Sequence, residues 1–193
     1  MVSKSKKRLL IFILLAVISG FLLYKIVSFY AQSFGPGTIY RQSDPRWANH
    51  TVGGSRQTLK AVGCMVCCVS MALEHYGFHF NPAQLNELLK DHGGYSSSGL
   101  LQWGAIPKIT DNEIEVLPYE KPGLDFIDKS LRNNGPVIVK VRSSRGTNHW
   151  VLVVKKENGE YLIKDPAGNG KSLESLSKYH NSIYSARLLR KRT

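Results

Sequence analysis

The sequence predicts an α+β fold, with a cysteine-bearing helix in its first half packed on an antiparallel sheet in its second, preceded by one transmembrane helix. Three observations carry this reading. Residues 64–76, CMVCCVSMALEHY, form an apolar, breaker-free run between Gly63 and Gly77, the pattern of a buried helix of about three turns. From Pro136 onward the pattern changes to short β-branched or aromatic runs bounded by turn residues: Pro136–Val141, His149–Val154 and Glu160–Lys164. These predict strands. Ahead of both, an uncharged apolar stretch follows a basic N-terminus.

That N-terminal stretch divides as a basic flank over 1–8, a membrane anchor over 9–31 and a breaker-containing linker over 32–39. The uncharged core from Leu9 to Tyr24 would give a helix of about 24 Å at 1.5 Å per residue, slightly short of the hydrocarbon thickness. Lys25 extends the span by snorkelling. The basic flank predicts a cytoplasmic N-terminus, which puts everything after residue 31 outside the cell. Cleavage and secretion is the alternative, but Phe29-Tyr30-Ala31 offers no small-x-small site. Residues 40–193 then form one domain of ordinary size.

The chain of 193 residues has a formal charge of +12. Five basic residues, Lys4, Lys6, Lys7, Arg8 and Lys25, lie before Gln32 with no acid among them, so the domain keeps a surplus of about seven. Arg187, Arg190, Lys191 and Arg192 concentrate part of it in a basic tail. Such a field favours anionic wall polymers or lipid headgroups. No nucleic-acid motif with interleaved aromatics is present, so no specific nucleic-acid partner is expected.

The 3 cysteines, Cys64, Cys67 and Cys68, fall within five positions, which excludes a spread disulfide framework. Their odd number leaves at least one thiol for chemistry. Cys67 and Cys68, further along the helix, read as small buried hydrophobes. Cys64 is the first helical residue, where the macrodipole and unpaired backbone N–H groups favour a thiolate and can also hold an oxyanion. No strand precedes Cys64 to support a redox reading of Cys64-x-x-Cys67.

Amide hydrolysis by a thiol needs an imidazole to hold and return the proton, and a polar group to orient that imidazole. His149 and Asp165 supply these types. Asn158-Gly159 is a hairpin signal, and folding at it returns Asp165 to the neighbourhood of His149 at the hairpin's open end, with the register left open. The other histidines do not form a ligand set: Gly77-Phe78 separates His75 from His79, and His50, His92 and His180 stand in polar, loop-like surroundings. Neither metal nor cofactor is expected. Trp47 and Trp103 are assigned to core packing, and the polar segment 93–99 is either a cleft loop or a surface linker.

From about Tyr40 to Asp165 the chain resembles the C39 cysteine peptidases, the papain-like family of bacteriocin-processing, double-glycine peptidases. The resemblance rests on Gln42-Ser43-Asp44-Pro45-Arg46-Trp47-Ala48, Gly63-Cys64, Met71, Tyr76-Gly77, Pro136-Val137-Ile138-Val139, His149-Trp150-Val151 and Asp165-Pro166. It implies a papain-like fold, Cys64 as nucleophile, His149 as base and Asp165 as its orienter. It also implies an oxyanion-hole glutamine: Gln42 by motif, with Gln57 the candidate by proximity to Cys64. Met65 and Val66 stand where this branch often carries Gly and Pro. The expected function is a membrane-anchored, extracytoplasmic cysteine peptidase acting on a peptide or protein. A peptidoglycan stem-peptide endopeptidase or amidase, and a peptide-binding module without catalysis, are the alternatives.

Overall fold

The computed structural model describes residue 13, residues 16–23, 37–120 and 122–192. The chain divides into two units, Met1–Gly37 and Thr38–Thr193. In the first, Ile13 and residues 16–23 are helical. Val17, Ile18, Phe21, Leu22 and Leu23 are each more than half exposed. Among the described residues no helix is long and apolar enough to cross a membrane. Most of the anchor expected over 9–31, its basic flank and most of the linker lie outside the described residues.

The second unit begins its helices with α1 (Leu59–Val62) and α2 (Cys64–His75). Gly63 joins them, and its backbone passes so close to α1 that an added Cβ would collide with the Leu59 carbonyl oxygen. Residues 66–73 of α2 are all buried, as a central helix requires. The helix stops at His75, one residue short of the predicted end, and Gly77 turns the chain at φ +91°. α3 (Pro82–Asp91) follows behind a capping box in which Asn81 and Gln84 satisfy each other's backbone N–H groups. Next come α4 (Ala105–Ile109), β1 (Ile114–Glu120) and α5 (Leu124–Arg132). The sheet strands β2 (Val137–Arg142), β3 (Asn148–Glu157), β4 (Glu160–Lys164), β5 (Glu174–Ser175) and β6 (Ser185–Lys191) complete the fold.

Among the described residues the strands form one sheet in the order β1-β6-β2-β3-β4-β5, with every pairing antiparallel. Strand alternation gives it two apolar faces. Ile138, Trp150 and Leu152 join the core built on α2, α3 and α4. Val137, Val139, Val141, Val151 and Val153 face a second core with Ile127 of α5, Tyr161, Ile163, Leu176 and Tyr179. The sheet is therefore a middle layer, and both β2 and β3 read as nearly continuous buried runs.

Asn158 and Gly159 make the predicted hairpin, with φ +49° and +84°, the paired left-handed conformation that such a two-residue turn requires. The ladder it starts pairs Glu157 with Glu160 and Lys155 with Leu162. It then slips between Val153 and Lys155, so that Val153 pairs with Ile163 and Leu152 with Lys164. Val154 is the extra residue of this bulge.

Candidate active site

The slip at Val154 determines which face His149 occupies. Directly opposed residues point to the same side of a sheet. Continued without the slip, the register at Lys155 and Leu162 would set Leu152 opposite Asp165. His149 would then lie on the other face from that carboxylate. One inserted residue reverses the parity, and His149 and Asp165 share the side of Val151, Val153 and Ile163. There His149 Nε2 lies 2.7 Å from Asp165 Oδ1.

Asp165 is buried, and four groups hold its two oxygens. Oδ1 meets His149 and accepts from the Ala167 backbone N–H at 2.8 Å. Oδ2 accepts from the Tyr179 hydroxyl at 2.6 Å and from Lys178 Nζ at 2.8 Å. Lys178 also reaches Glu174 Oε2 at 2.6 Å. Burial alone would raise the Asp165 pKa, but the hydrogen bonds from His149, Lys178 and Tyr179 hold it below the usual carboxylate range. Burial likewise opposes the charge on His149. Hydrogen bonding and charge from Asp165 and Cys64 outweigh it and raise His149 to about 9. At neutral pH the pair is an imidazolium on a carboxylate. Tyr179 is pushed up by burial and by the neighbouring Asp165 charge, so it remains a donor.

Cys64 opens α2 and is partly exposed, whereas Cys67 and Cys68 are fully buried. Burial pushes both of the latter thiols well above their ordinary pKa. This makes them poor nucleophiles. Cys68 Sγ donates to the Trp150 carbonyl at 3.3 Å, so it ties the second turn of α2 to the residue after His149. With Nε2 facing Asp165, the imidazole has Nδ1 left for the Cys64 thiol, whose hydrogen bond contributes to the raised His149 pKa.

A cleft of about 810 Å³ opens over this group. Gln42, Gln57, Cys64 and His149 all line it, while Asp165 stands behind the imidazole. Gln42 is held from two sides: its backbone N–H donates to Pro166 O at 2.9 Å, and its Nε2 to Lys60 O at 2.8 Å. The Lys60 carbonyl fixes the orientation of the amide, because the flipped form would oppose two oxygens. Trp47, only 2% exposed, pins the same segment by donating from Nε1 to Arg41 O at 2.8 Å. Gln57 is exposed, and no described group holds its side chain.

All four predicted site residues therefore border or back one cleft, together with Gln57. Segment 93–99 lies there too, through Tyr95, Ser98 and Gly99, as the cleft-loop reading expected. Lys178 and Tyr179 were not identified from sequence. They sit on a 3-10 turn, Leu176–Tyr179, between β5 and β6, and no local pattern marks them as partners of a carboxylate. Among the described residues no cluster of His, Cys, Asp or Glu could hold a metal ion.

Residues 56–189 match the sequence pattern of the Peptidase C39 family. Over 120 residues, 60% of the chain, it is 28% identical to the lactococcin-G-processing and transport ATP-binding protein LagD of Lactococcus lactis subsp. lactis, and spans 16% of that protein's length. A structure described as a C39-like peptidase from Bacillus anthracis superposes with a TM-score of 0.54 at 12% identity, covering 83% of this chain and 98% of the other. The peptidase domain of Streptococcus ComA, a bi-functional ABC transporter of a quorum-sensing pathway, gives 0.50 at 22% identity, covering 67% and 91%. These two likenesses concern the fold. The match over 56–189 takes in Cys64, His149 and Asp165, and by it the chain belongs to the C39 peptidase family and is a cysteine peptidase.

Proposed function

We propose that Cys64, His149 and Asp165 are the catalytic triad of this peptidase, that Gln42 completes its oxyanion hole, and that the domain works outside the cell from an N-terminal membrane anchor. One observation carries the catalytic reading: the His149 imidazole, held at 2.7 Å by a buried carboxylate behind it, lines the cleft onto which the first thiol of α2 opens. With the Cys64 proton carried on His149 Nδ1, Cys64 Sγ attacks the carbonyl carbon of a peptide bond as the thiolate. The developing oxyanion is met by the Cys64 backbone N–H and by the Gln42 Nε2 hydrogen not engaged by Lys60. His149 then delivers the Nδ1 proton to the leaving amine, and the C–N bond breaks to leave a thioester on Cys64. Water attacks the thioester with His149 as base, and the acid product leaves.

The anchor is supported by the apolar run over 9–31 and by the exposed apolar side chains of its described portion. The substrate class is a peptide or protein. The match to a lactococcin-G-processing protein favours processing of a peptide over general degradation.

A mechanism-based thiol probe tests the catalytic reading on the full chain, with Cys64→Ala and Cys67→Ala compared against wild type. Labelling should vanish with Cys64→Ala and persist with Cys67→Ala; equal labelling of all three would remove the proposed nucleophile. Protease protection of membrane vesicles tests the placement, since a cytoplasmic domain would be digested only in inverted ones.

A further inference from the structure

The cleft is asymmetric in charge. Among the described residues no carboxylate lines it, and its cationic lining groups besides His149 are Arg145 and Lys178. Lys178 is engaged with Asp165 and Glu174. The Arg145 guanidinium has no hydrogen-bond or ion-pair partner among the described residues, although its neighbours are firmly set. The turn that carries it, residues 143–147, is closed by Ser143 N–H donating to Thr147 O at 2.9 Å and by the Ser143 and Thr147 hydroxyls at 2.7 Å. Arg142 donates to Gly146 O at 2.9 Å and lies over the Tyr184 ring at 5.4 Å, which braces the turn from behind. Gly146 takes φ +73°, the conformation that lets so short a turn close. A rigid loop thus presents an unpaired, permanently charged fork to the cleft.

The position of that fork relates it to the reaction. The turn runs through Asn148 into His149, and His149 must protonate the leaving amine. Substrate residues after the scissile bond therefore lie on the His149 side, where Arg145 borders the cleft. We infer that Arg145 is a specificity determinant, selecting substrates with a carboxylate within roughly three residues after the scissile bond, the reach of an extended chain at about 3.5 Å per residue. This inference rests on the catalytic roles proposed above. The preference should sit in binding, because Arg145 touches a part of the substrate that does not react. It should also weaken with salt, because the guanidinium is exposed.

The test is cleavage of a degenerate peptide library by the full chain, with new amino termini identified by mass spectrometry. Wild type should enrich Asp and Glu about fivefold or more at the first three positions of those termini, less at high salt. Arg145→Ala should abolish the enrichment and Arg145→Glu should replace it with Lys and Arg. Parallel libraries with free and amidated C-termini separate a side-chain carboxylate from a chain-terminal one. Single peptides carrying Asp or Asn at the preferred position should differ in KM and not in kcat. Cys64-dependent cleavage with equal Asp and Asn frequencies in wild type and Arg145→Ala would overturn the role of Arg145 and leave the peptidase reading standing. Absence of any Cys64-dependent cleavage would overturn both. For a variant that cleaves nothing, anisotropy binding of the Asp and Asn peptides to Cys64→Ala and Cys64→Ala/Arg145→Ala decides the question: equal affinities on both would overturn the inference.

Discussion

Replacing Asp165 by Asn removes one charge and few atoms, and its effect can be sized from the site. His149 is 7% exposed, so burial alone would hold its pKa below the ordinary 6.5, yet it stands at about 9. The distance between those values corresponds to about 3 kcal/mol in favour of the imidazolium. Of the groups that raise it, Asp165 contributes the leading hydrogen bond and Cys64 the next. Loss of the Asp165 charge should remove at least half of that preference, about 1.5 kcal/mol, and lower the His149 pKa by one or more pH units. The amide introduced by Asp165→Asn would still offer an oxygen to Nε2, but Tyr179 and Lys178, which now share Oδ2, would compete for it. The alkaline limb of kcat/KM should therefore shift from near pH 9 to near or below 8, with kcat/KM at its optimum falling about 10²-fold. Rate profiles from pH 5 to 10 on wild type and Asp165→Asn measure both. An unmoved alkaline limb would refute the argument that this carboxylate keeps His149 charged.

Protonation should also shape stability. The folded-state pKa of His149 is raised, so its contribution is fully present below about pH 6.5 and disappears as pH rises through about 9. Asp165 is depressed, so its contribution is present above the ordinary carboxylate pKa of 3.8 and disappears as pH falls through its lower folded value. Urea midpoints should plateau between about pH 4 and 6.5 and decline on either side, and His149→Ala should flatten the alkaline decline. Deleting Val154 should preserve peptide cleavage, because the shortened strand pairs in one continuous ladder that keeps Val153 opposite Ile163 and His149 on the Asp165 side. Gln42→Ala should lower kcat by about 10²- to 10³-fold in steady-state assays, and Gln57→Ala should change it by less than about threefold. Gly63→Ala should destabilise the protein by about 1–3 kcal/mol in denaturant titrations, because the new methyl meets the Leu59 carbonyl and α1 must move.

The parts of the fold legible in sequence are those with a local cause. α2 is bracketed by glycines and contains no breaker, so its start coincides with the expected one and its end lies within a residue of it. The Asn158-Gly159 turn is local chemistry, and it dictates that β3 pairs with β4 without dictating the register. The order of the sheet is not local. β6, Ser185–Lys191, inserts between β1 and β2, a neighbourhood separated from its own position by scores of residues and marked by no turn. α3 did have a readable signal, Asn81-Pro82 with Gln84 and the spacing of Leu85, Leu88 and Leu89, but it bears no site residue and was not identified. At the site, Cys64, His149 and Asp165 are identifiable by residue type and position in their elements. Tyr179 and Lys178 act through a carboxylate in an earlier turn, and the bulge is written in Val153-Val154-Lys155, residues as suited to an uninterrupted strand.

The buried cysteines show why residue type alone under-describes this helix. Cys68 is a small core residue, as expected, but its thiol donates to the carbonyl of Trp150, one residue beyond His149 and one turn along from Cys64. The sulfur and the imidazole are thus joined by a short circuit: one turn of α2, one hydrogen bond and one step along β3. A larger side chain at position 68 would push the helix from the strand and lengthen every link between the Cys64 thiol and the imidazole. On the other side of the ring, the bulge at Val154 and the three other donors on Asp165 set the direction from which the carboxylate approaches. The imidazole is consequently located by helix packing along one axis and by strand register along another. Either contact can fail alone, so loss of activity by Asp165→Ala and loss by enlarging residue 68 should be separable: the first removes the carboxylate from His149, the second removes the thiol.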